Sequence, residues 1–267
     1  MIPNIQIFEK TVSAYMIIAT IGVLTLIFLM KHIARKSGMN DLMVQNVILV
    51  SFIGVVIGSH LFSGIGKIYL MVQNHVEFVS FKDFIQKMIY AFGGAVFYGG
   101  LIGALIASFI YIRIKKLDFK SYSDIGAMSI PLFHFFGRIG CFLSGCCYGI
   151  ESNIGFIYHY SAVESANGVR RFPVQLVEAA FNICLFLAIY NLFKTKKYAG
   201  KLMYVYLVAY SIARFILEFF RGDEYRGYIG VLSVSQFISV VIIISVTIFV
   251  LLKKGKHDQN HKKTQKI

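Results

Sequence analysis

Charge is scarce in this chain: 15% of its 267 residues are Asp, Glu, Lys or Arg, against roughly 25% in an ordinary soluble domain. Acidic residues are scarcer still, 13 against 27 basic ones. No polar segment is long enough to fold alone, which excludes a separate soluble domain. The formal charge of +14 would raise nucleic acid as a partner if the protein were soluble. Here the positive residues sit between long apolar runs, so no nucleic acid is expected. The first ten residues lack a basic n-region, and no small-residue cleavage pattern follows the first apolar run, so that run is expected to be retained rather than removed as a signal peptide. No repeat with a period of about 20 to 50 residues recurs. No group of His, Asp and Glu has metal-ligand spacing, so neither a metal nor another cofactor is expected.

What fills the chain instead is hydrophobic sequence, 57% of it. At about 20 apolar residues per crossing, the runs 11–30, 42–66, 89–112, 125–145, 174–193, 202–220 and 230–252 predict seven transmembrane helices. The fold class is all-α, a polytopic membrane protein. Lys31, Arg35, Lys36, Arg113, Lys115, Lys116, Lys120, Lys194, Lys196, Lys197, Lys201, Lys253, Lys254, Lys256, Lys262, Lys263 and Lys266 follow the odd-numbered runs. Only Lys10, Lys67, Lys82, Lys87, Arg170, Arg171, Arg221 and Arg226 lie on the other side. Positive charge accumulates on the cytoplasmic side, so the N-terminus is expected outside and the C-terminus inside. Residues 253–267 read as a disordered basic tail near anionic membrane lipid. On the outer side, Phe78, Phe81, Phe84, Ile85 and Met88 recur at helical spacing opposite Glu77, Lys82, Asp83, Gln86 and Lys87, which predicts an interfacial helix. Residues 151–172 show no such stripe and read as an outer loop, either a connector or a place where substrate is met.

Gly54 and Gly58, Gly99 and Gly103, and Gly145 and Gly149 stand four apart, the spacing that lets helices approach closely. The run from Phe92 to Gly103 is also consistent with a bent helix or with backbone beside a ligand. Ionisable residues within the spans are costly, about 2.5 to 3.5 kcal/mol for Arg near the bilayer centre, and so mark a polar interior. Arg138 lies in the fourth span with His134 one turn before it. Glu178 opens the fifth. Tyr210, Arg214, Glu218 and Arg221 follow at steps of four, four and three on one stripe of the sixth. Arg214 and Glu218 could be a structural ion pair, and Arg138 could snorkel; alternatively the guanidinium groups receive an anionic headgroup, since they match phosphate oxygens and keep their charge. His134 and His60 read as helix-face residues with satisfied rings. Of the cysteines, Cys184 reads as packing, while Cys141, Cys146 and Cys147 have neither zinc-pair nor CxxC spacing. They could pair, react or simply pack.

The segment Gly137-Arg138-Ile139-Gly140-Cys141-Phe142-Leu143-Ser144-Gly145-Cys146-Cys147-Tyr148-Gly149 resembles the signature of the bacterial prolipoprotein diacylglyceryl transferases. Tyr15, the block Tyr98-Gly99-Gly100-Leu101-Ile102-Gly103, the element Phe172-Pro173-Val174-Gln175-Leu176-Val177-Glu178, the run from Arg214 to Asp223, and Leu232 to Gln236 are similar to further blocks of that family, in the same order. The resemblance implies a seven-helix enzyme of the bacterial cytoplasmic membrane, a transferase domain over 1–252 with a cytoplasmic tail over 253–267. It implies transfer of diacylglyceryl from phosphatidylglycerol to the lipobox cysteine of a prolipoprotein signal peptide, with glycerol phosphate released. Arg138, Arg214, Tyr98 and Glu218 are then the expected catalytic residues. Tyr15, Gly99, Gly100, Cys141, Gly149, Gln175, Glu178 and Arg221 are the expected substrate-binding ones. The chain departs from the family pattern at Tyr98, where the family has histidine, at Cys141 and Ser144, where it has asparagine, and at Cys146, where it has glutamate. A branch acting on another acceptor, or a lipid-binding or lipid-transporting protein, is the competing reading.

Overall fold

Among the residues described, 3–7, 10–161, 163–223 and 227–264 of a computed structural model, helices dominate. Arg226 and Lys266, counted above, lie outside the described residues. The order is β1 (Asn4–Ile7), β2 (Lys10–Ser13), α1 (Ala14–Lys36), α2 (Asp41–Gln73), α3 (Phe81–Phe92), α4 (Phe97–Ile114) and α5 (Phe119–Ser144). There follow β3 (Glu151–Ile157), β4 (Arg170–Arg171), α6 (Val174–Thr195), α7 (Leu202–Leu217), β5 (Tyr228–Ile229), β6 (Leu232–Ser233) and α8 (Val234–Thr264). Six of the helices are long and apolar enough to cross a membrane. The apolar stretch of α4, Tyr98–Ile114, is shorter; at 1.5 Å per residue the 18 residues of α4 span about 27 Å. The outer surfaces are apolar, with Phe28 77% and Val72 67% exposed, as expected where lipid rather than water is the neighbour. The protein is an all-α, multi-pass membrane protein.

Two compact units make up the chain, one of Met1–Leu26 and Ser123–Ile267, the other of Ile27–Tyr122. In the second unit the predicted amphipathic stripe forms α3, started by a reciprocal cap. Ser80 Oγ accepts from Asp83 N at 3.2 Å, and Asp83 Oδ2 accepts from Val79 N at 3.1 Å and from Lys87 Nζ at 2.7 Å. The run 89–112 is not one span: α3 ends at Phe92, residues 93–96 turn, and α4 begins. A helix end leaves carbonyls without partners, and here one row of α2 takes up three successive ones. Lys67 Nζ donates to Tyr90 O at 2.8 Å, Ser63 Oγ to Ala91 O at 3.0 Å and His60 Nδ1 to Phe92 O at 2.8 Å. The break is therefore satisfied by protein. Behind it α2 and α4 pack through glycine: a side chain at Gly103 would run into the carbonyl of Gly54, and one at Gly99 into that of Gly58.

In the first unit, the β1–β2 hairpin leads into α1, so the helix starts at Ala14 rather than at residue 11, its first amide donating to Pro3 O at 2.9 Å. Helix α5 begins at Phe119, six residues before the expected position, and the buried Asp124 accepts from Gly200 N at 2.5 Å and Leu202 N at 3.0 Å, which caps α7. The segment 151–172 is ordered in part by Arg171. Its guanidinium lies 4.3 Å from the centroid of the Tyr148 ring and donates to Ser165 O at 2.5 Å and Ala166 O at 3.4 Å. The basic tail read as disordered instead continues α8 as far as Thr264; its lysines and glutamine are good helix formers.

Candidate functional site

The first unit brings together most of the residues singled out by sequence. Arg138, in the second half of α5, places Nε 3.0 Å from Glu178 Oε2 on α6. Glu178 is 1% exposed and also accepts from Tyr210 OH at 3.0 Å, so a single carboxylate joins α5, α6 and α7. The ring of His134 stands 5.2 Å from that of Tyr210, but its Nδ1 is buried without a partner, which corrects the expectation of a satisfied histidine. Four residues beyond Tyr210, Arg214 Nη2 lies 2.7 Å from Glu218 Oε2 and donates to Ser235 Oγ at the start of α8, at 3.0 Å. Arg214 Nη1 is buried and unbonded. The site thus holds two guanidinium groups, each braced on one edge by a carboxylate, with donor capacity left over.

The expected stripe on the sixth span ends at Glu218. From Glu218 to Phe220 the helix tightens, and Arg221 is extended (φ −87°, ψ 140°). Its guanidinium grips Asp223, Nε to Oδ1 at 2.8 Å and Nη2 to Oδ2 at 2.6 Å. Arg221 also forms a backbone bridge with Gly149. Phe172 N donates to Ile150 O at 2.9 Å, Ile150 N to Phe220 O at 3.0 Å and Gly222 N to Tyr148 O at 2.9 Å. Three chain segments meet so closely that a side chain at Gly149 would strike the Phe172 carbonyl. Gly149 therefore serves backbone approach and not helix packing, because α5 has already ended. Gln175 Nε2, at the head of α6, donates to Cys146 O at 2.8 Å and Tyr158 OH at 3.1 Å. Burial pushes the Tyr158 hydroxyl up to about 12, against the opposing hydrogen bond from Gln175. Tyr15, in the first turn of α1, lies where a side chain at Gly140 would touch its ring.

The end of α5 closes the site. Gly145 (φ +76°) takes the left-handed conformation that only glycine adopts freely. Gly145 N donates to Phe142 O at 3.3 Å and Cys146 N to Cys141 O at 3.1 Å, the paired bonds of a Schellman ending. Such an ending folds the residue after the glycine back over the one five positions earlier. Cys146 thereby reaches Cys141, and Cys147 (φ +55°) turns to join them. All four cysteines are free thiols.

Tyr98, Gly99 and Gly100 belong to the other unit, in the first turn of α4, and both glycines are buried against α2. Sequence reasoning paired Arg214 with Glu218 correctly but missed Glu178 as the partner of Arg138, 40 positions away. It also missed Asn182, fully buried and donating to Glu178 O at 2.8 Å. Its signal was an amide one turn beyond a carboxylate inside an apolar run.

Comparison with known proteins agrees with this arrangement. The profile described as prolipoprotein diacylglyceryl transferase matches residues 4–252. The chain is 30% identical over 248 residues to the phosphatidylglycerol–prolipoprotein diacylglyceryl transferase of Clostridium tetani, covering 91% of this chain and 94% of the relative. It is 32% identical over 255 residues to enzyme 2 of that name from Clostridium perfringens, covering 94% of each. To the Campylobacter hominis protein of the same name it is 30% identical over 266 residues, 95% of this chain and 92% of the relative.

Proposed function

Because the chain belongs to the prolipoprotein diacylglyceryl transferase family, we propose that it transfers the diacylglyceryl group of phosphatidylglycerol to the lipobox cysteine of a prolipoprotein signal peptide. The thiol sulfur forms a bond to the terminal glycerol carbon of the lipid. The bond from that carbon to the phosphate oxygen breaks, its electron pair stays on the phosphate, and glycerol phosphate leaves with the thiol proton lost to a base or water. Charge develops on the phosphate during departure, where prepositioned guanidinium groups in a dry site contribute most.

The observation that carries the reading is the pair of braced in-span guanidiniums, with Arg214 Nη1 buried and unbonded. Arg138 and Arg214 are assigned the phosphate, and Glu178 and Glu218 the orientation of those arginines. Tyr15, Gln175, Cys141, Gly149 and Arg221 are assigned to the surroundings of the bound substrates. Tyr98, with Gly99 and Gly100 beside it, receives the thiol proton or a lipid hydrogen bond on the strength of the resemblance alone. Residues 1–252 act as one transferase domain in the bacterial cytoplasmic membrane, with the N-terminus outside and 253–267 cytoplasmic, as the loop charge bias supports.

Purified full-length protein in phosphatidylglycerol vesicles, given a lipobox peptide, should add one diacylglyceryl mass to the peptide cysteine. A peptide left unmodified, or modified equally with phosphatidylethanolamine as the lipid, would refute the assignment. Thiol labelling of cysteines introduced at Lys82 and Lys197 should report opposite faces; labelling from one face would overturn the orientation.

A further inference from the structure

The cluster at the end of α5 is unexplained by packing alone. The sulfur atoms of Cys141, Cys146 and Cys147 lie within 4.8 Å of one another. Zinc–thiolate bonds of about 2.3 Å around one ion require sulfur separations of about 3.8 to 4.0 Å, so small side-chain rotations suffice. The backbone is already set: the Schellman bonds and the left-handed Gly145 and Cys147 hold the three thiols on one side of the turn. Thiolate ligands select soft cations such as zinc or copper(I).

We propose that Cys141, Cys146 and Cys147 bind one soft cation of the zinc class, leaving its fourth position for the thiol of the acceptor cysteine. The second half of this proposal rests on the transferase reading. The reaction needs a thiolate, and an unperturbed thiol near pKa 8.5 is mostly protonated at neutral pH. A thiol that coordinates a cation is deprotonated outright. In the proposed step the acceptor thiol loses its proton to water as its sulfur joins the cation. That sulfur then bonds to the diacylglyceryl carbon as the carbon–oxygen bond to phosphate breaks, and the resulting thioether, a poor ligand, departs. No oxidant or reductant is needed.

The test uses reduced full-length protein in detergent. Cadmium should bind with one equivalent per chain and raise a thiolate-to-metal charge-transfer band, and zinc should displace it. Each of Cys141→Ser, Cys146→Ser and Cys147→Ser should weaken binding at least a hundredfold, whereas Cys184→Ser should leave it unchanged. If the serine variants do not fold, wild-type protein decides: bound zinc should shield three of the four cysteines from alkylation. Adding lipobox peptide to the cadmium-loaded protein should increase the band by about a third, as three thiolates become four, and its Cys→Ser analogue should not. Stripping the cation should lower transfer at least tenfold, with zinc restoring it. Absence of the band, unshielded cysteines, or full transfer after stripping would overturn the proposal. Binding and the peptide increment without transfer under any condition would count against the transferase reading and leave the cation site standing.

Discussion

Removing Glu178 should separate its two roles, holding the fold together and aiming Arg138. The carboxylate is 1% exposed and receives Arg138 Nε and Tyr210 OH, each at 3.0 Å. Breaking a buried ion pair from one side costs about 3 to 5 kcal/mol, mostly because a charge stays buried without its partner. Arg138 keeps 20% of its side-chain surface open, so Glu178→Ala should fall at the lower end, about 3 kcal/mol. At roughly 2 to 4 °C per kcal/mol for a protein of this size, the melting temperature should drop by roughly 6 to 12 °C. Glu178→Gln keeps both hydrogen bonds, its amide oxygen accepting from Arg138 and its N–H donating to Tyr210, but leaves the Arg138 charge without a counter-ion, and should lose about 2 kcal/mol, between the natural protein and Glu178→Ala. The double replacement Arg138→Met with Glu178→Leu removes both charges and should return to within about 1 kcal/mol of the natural protein while abolishing transfer. Fluorescence-detected size exclusion after heating gives the stability, and diacylglyceryl transfer to peptide gives the activity. A Glu178→Ala protein that melts within about 2 °C of the natural one at unchanged turnover would refute the reasoning.

Arg214→Ala should reduce transfer at least a hundredfold, about 2.7 kcal/mol, in line with loss of a preorganised donor, and Arg214→Lys should recover little because a point charge cannot span Glu218, Ser235 and a phosphate together; near-natural turnover in either variant removes Arg214 from the phosphate. Tyr98→Phe should slow single-turnover transfer at least tenfold, about 1.4 kcal/mol, and an unchanged rate would free its hydroxyl from any part in the chemistry. Gly103→Ala forces a side chain against the Gly54 carbonyl and should cost about 1 to 3 kcal/mol by overpacking, read as a lowered melting temperature; no change would mean that α2 and α4 can move apart freely. The folded-state pKa of Tyr158, about 12, stands above its ordinary value of 10.0 because burial disfavours the phenolate. The unfolded chain therefore loses that proton first, and stability is intact below pH 10 and declines between pH 10 and 12; Tyr158→Phe should flatten that decline, and an identical pH profile would disprove the linkage.

Much of the fold was legible in advance because a bilayer permits few solutions. Each crossing must satisfy its own backbone hydrogen bonds, so long apolar runs mark helices, and the amphipathic stripe around Phe81, Phe84 and Met88 marked the helix lying beside them. Boundaries were read less well where hydrogen bonding, not hydropathy, sets them. The run from Ile89 to Ile112 is continuous in hydropathy, yet it breaks at residues 93–96, where Lys67, Ser63 and His60 of a different helix take up the carbonyls at the end of α3. The loop 151–172 likewise has no apolar period to read, since its order comes from hydrogen bonds inside the loop, of the Arg171 guanidinium to Ser165 O and Ala166 O and of the Asn167 side chain to the Ser161 backbone.

The site divides along the same line. Sequence alone determined which residues are exceptional, because an arginine, glutamate or histidine within an apolar span is costly wherever it points, and the i, i+4 spacing of Arg214 and Glu218 determined their pairing as soon as a helix formed. It also determined family membership, through ordered blocks running along nearly the whole chain. Only tertiary structure decided that Arg138 faces Glu178 across two helices, that Arg221 leaves the helical stripe to hold Asp223, and that three cysteines of irregular spacing share one point. Those contacts depend on where chain segments cross and on left-handed turns at Gly145 and Cys147, and neither is encoded in the spacing of like residues along a single helix.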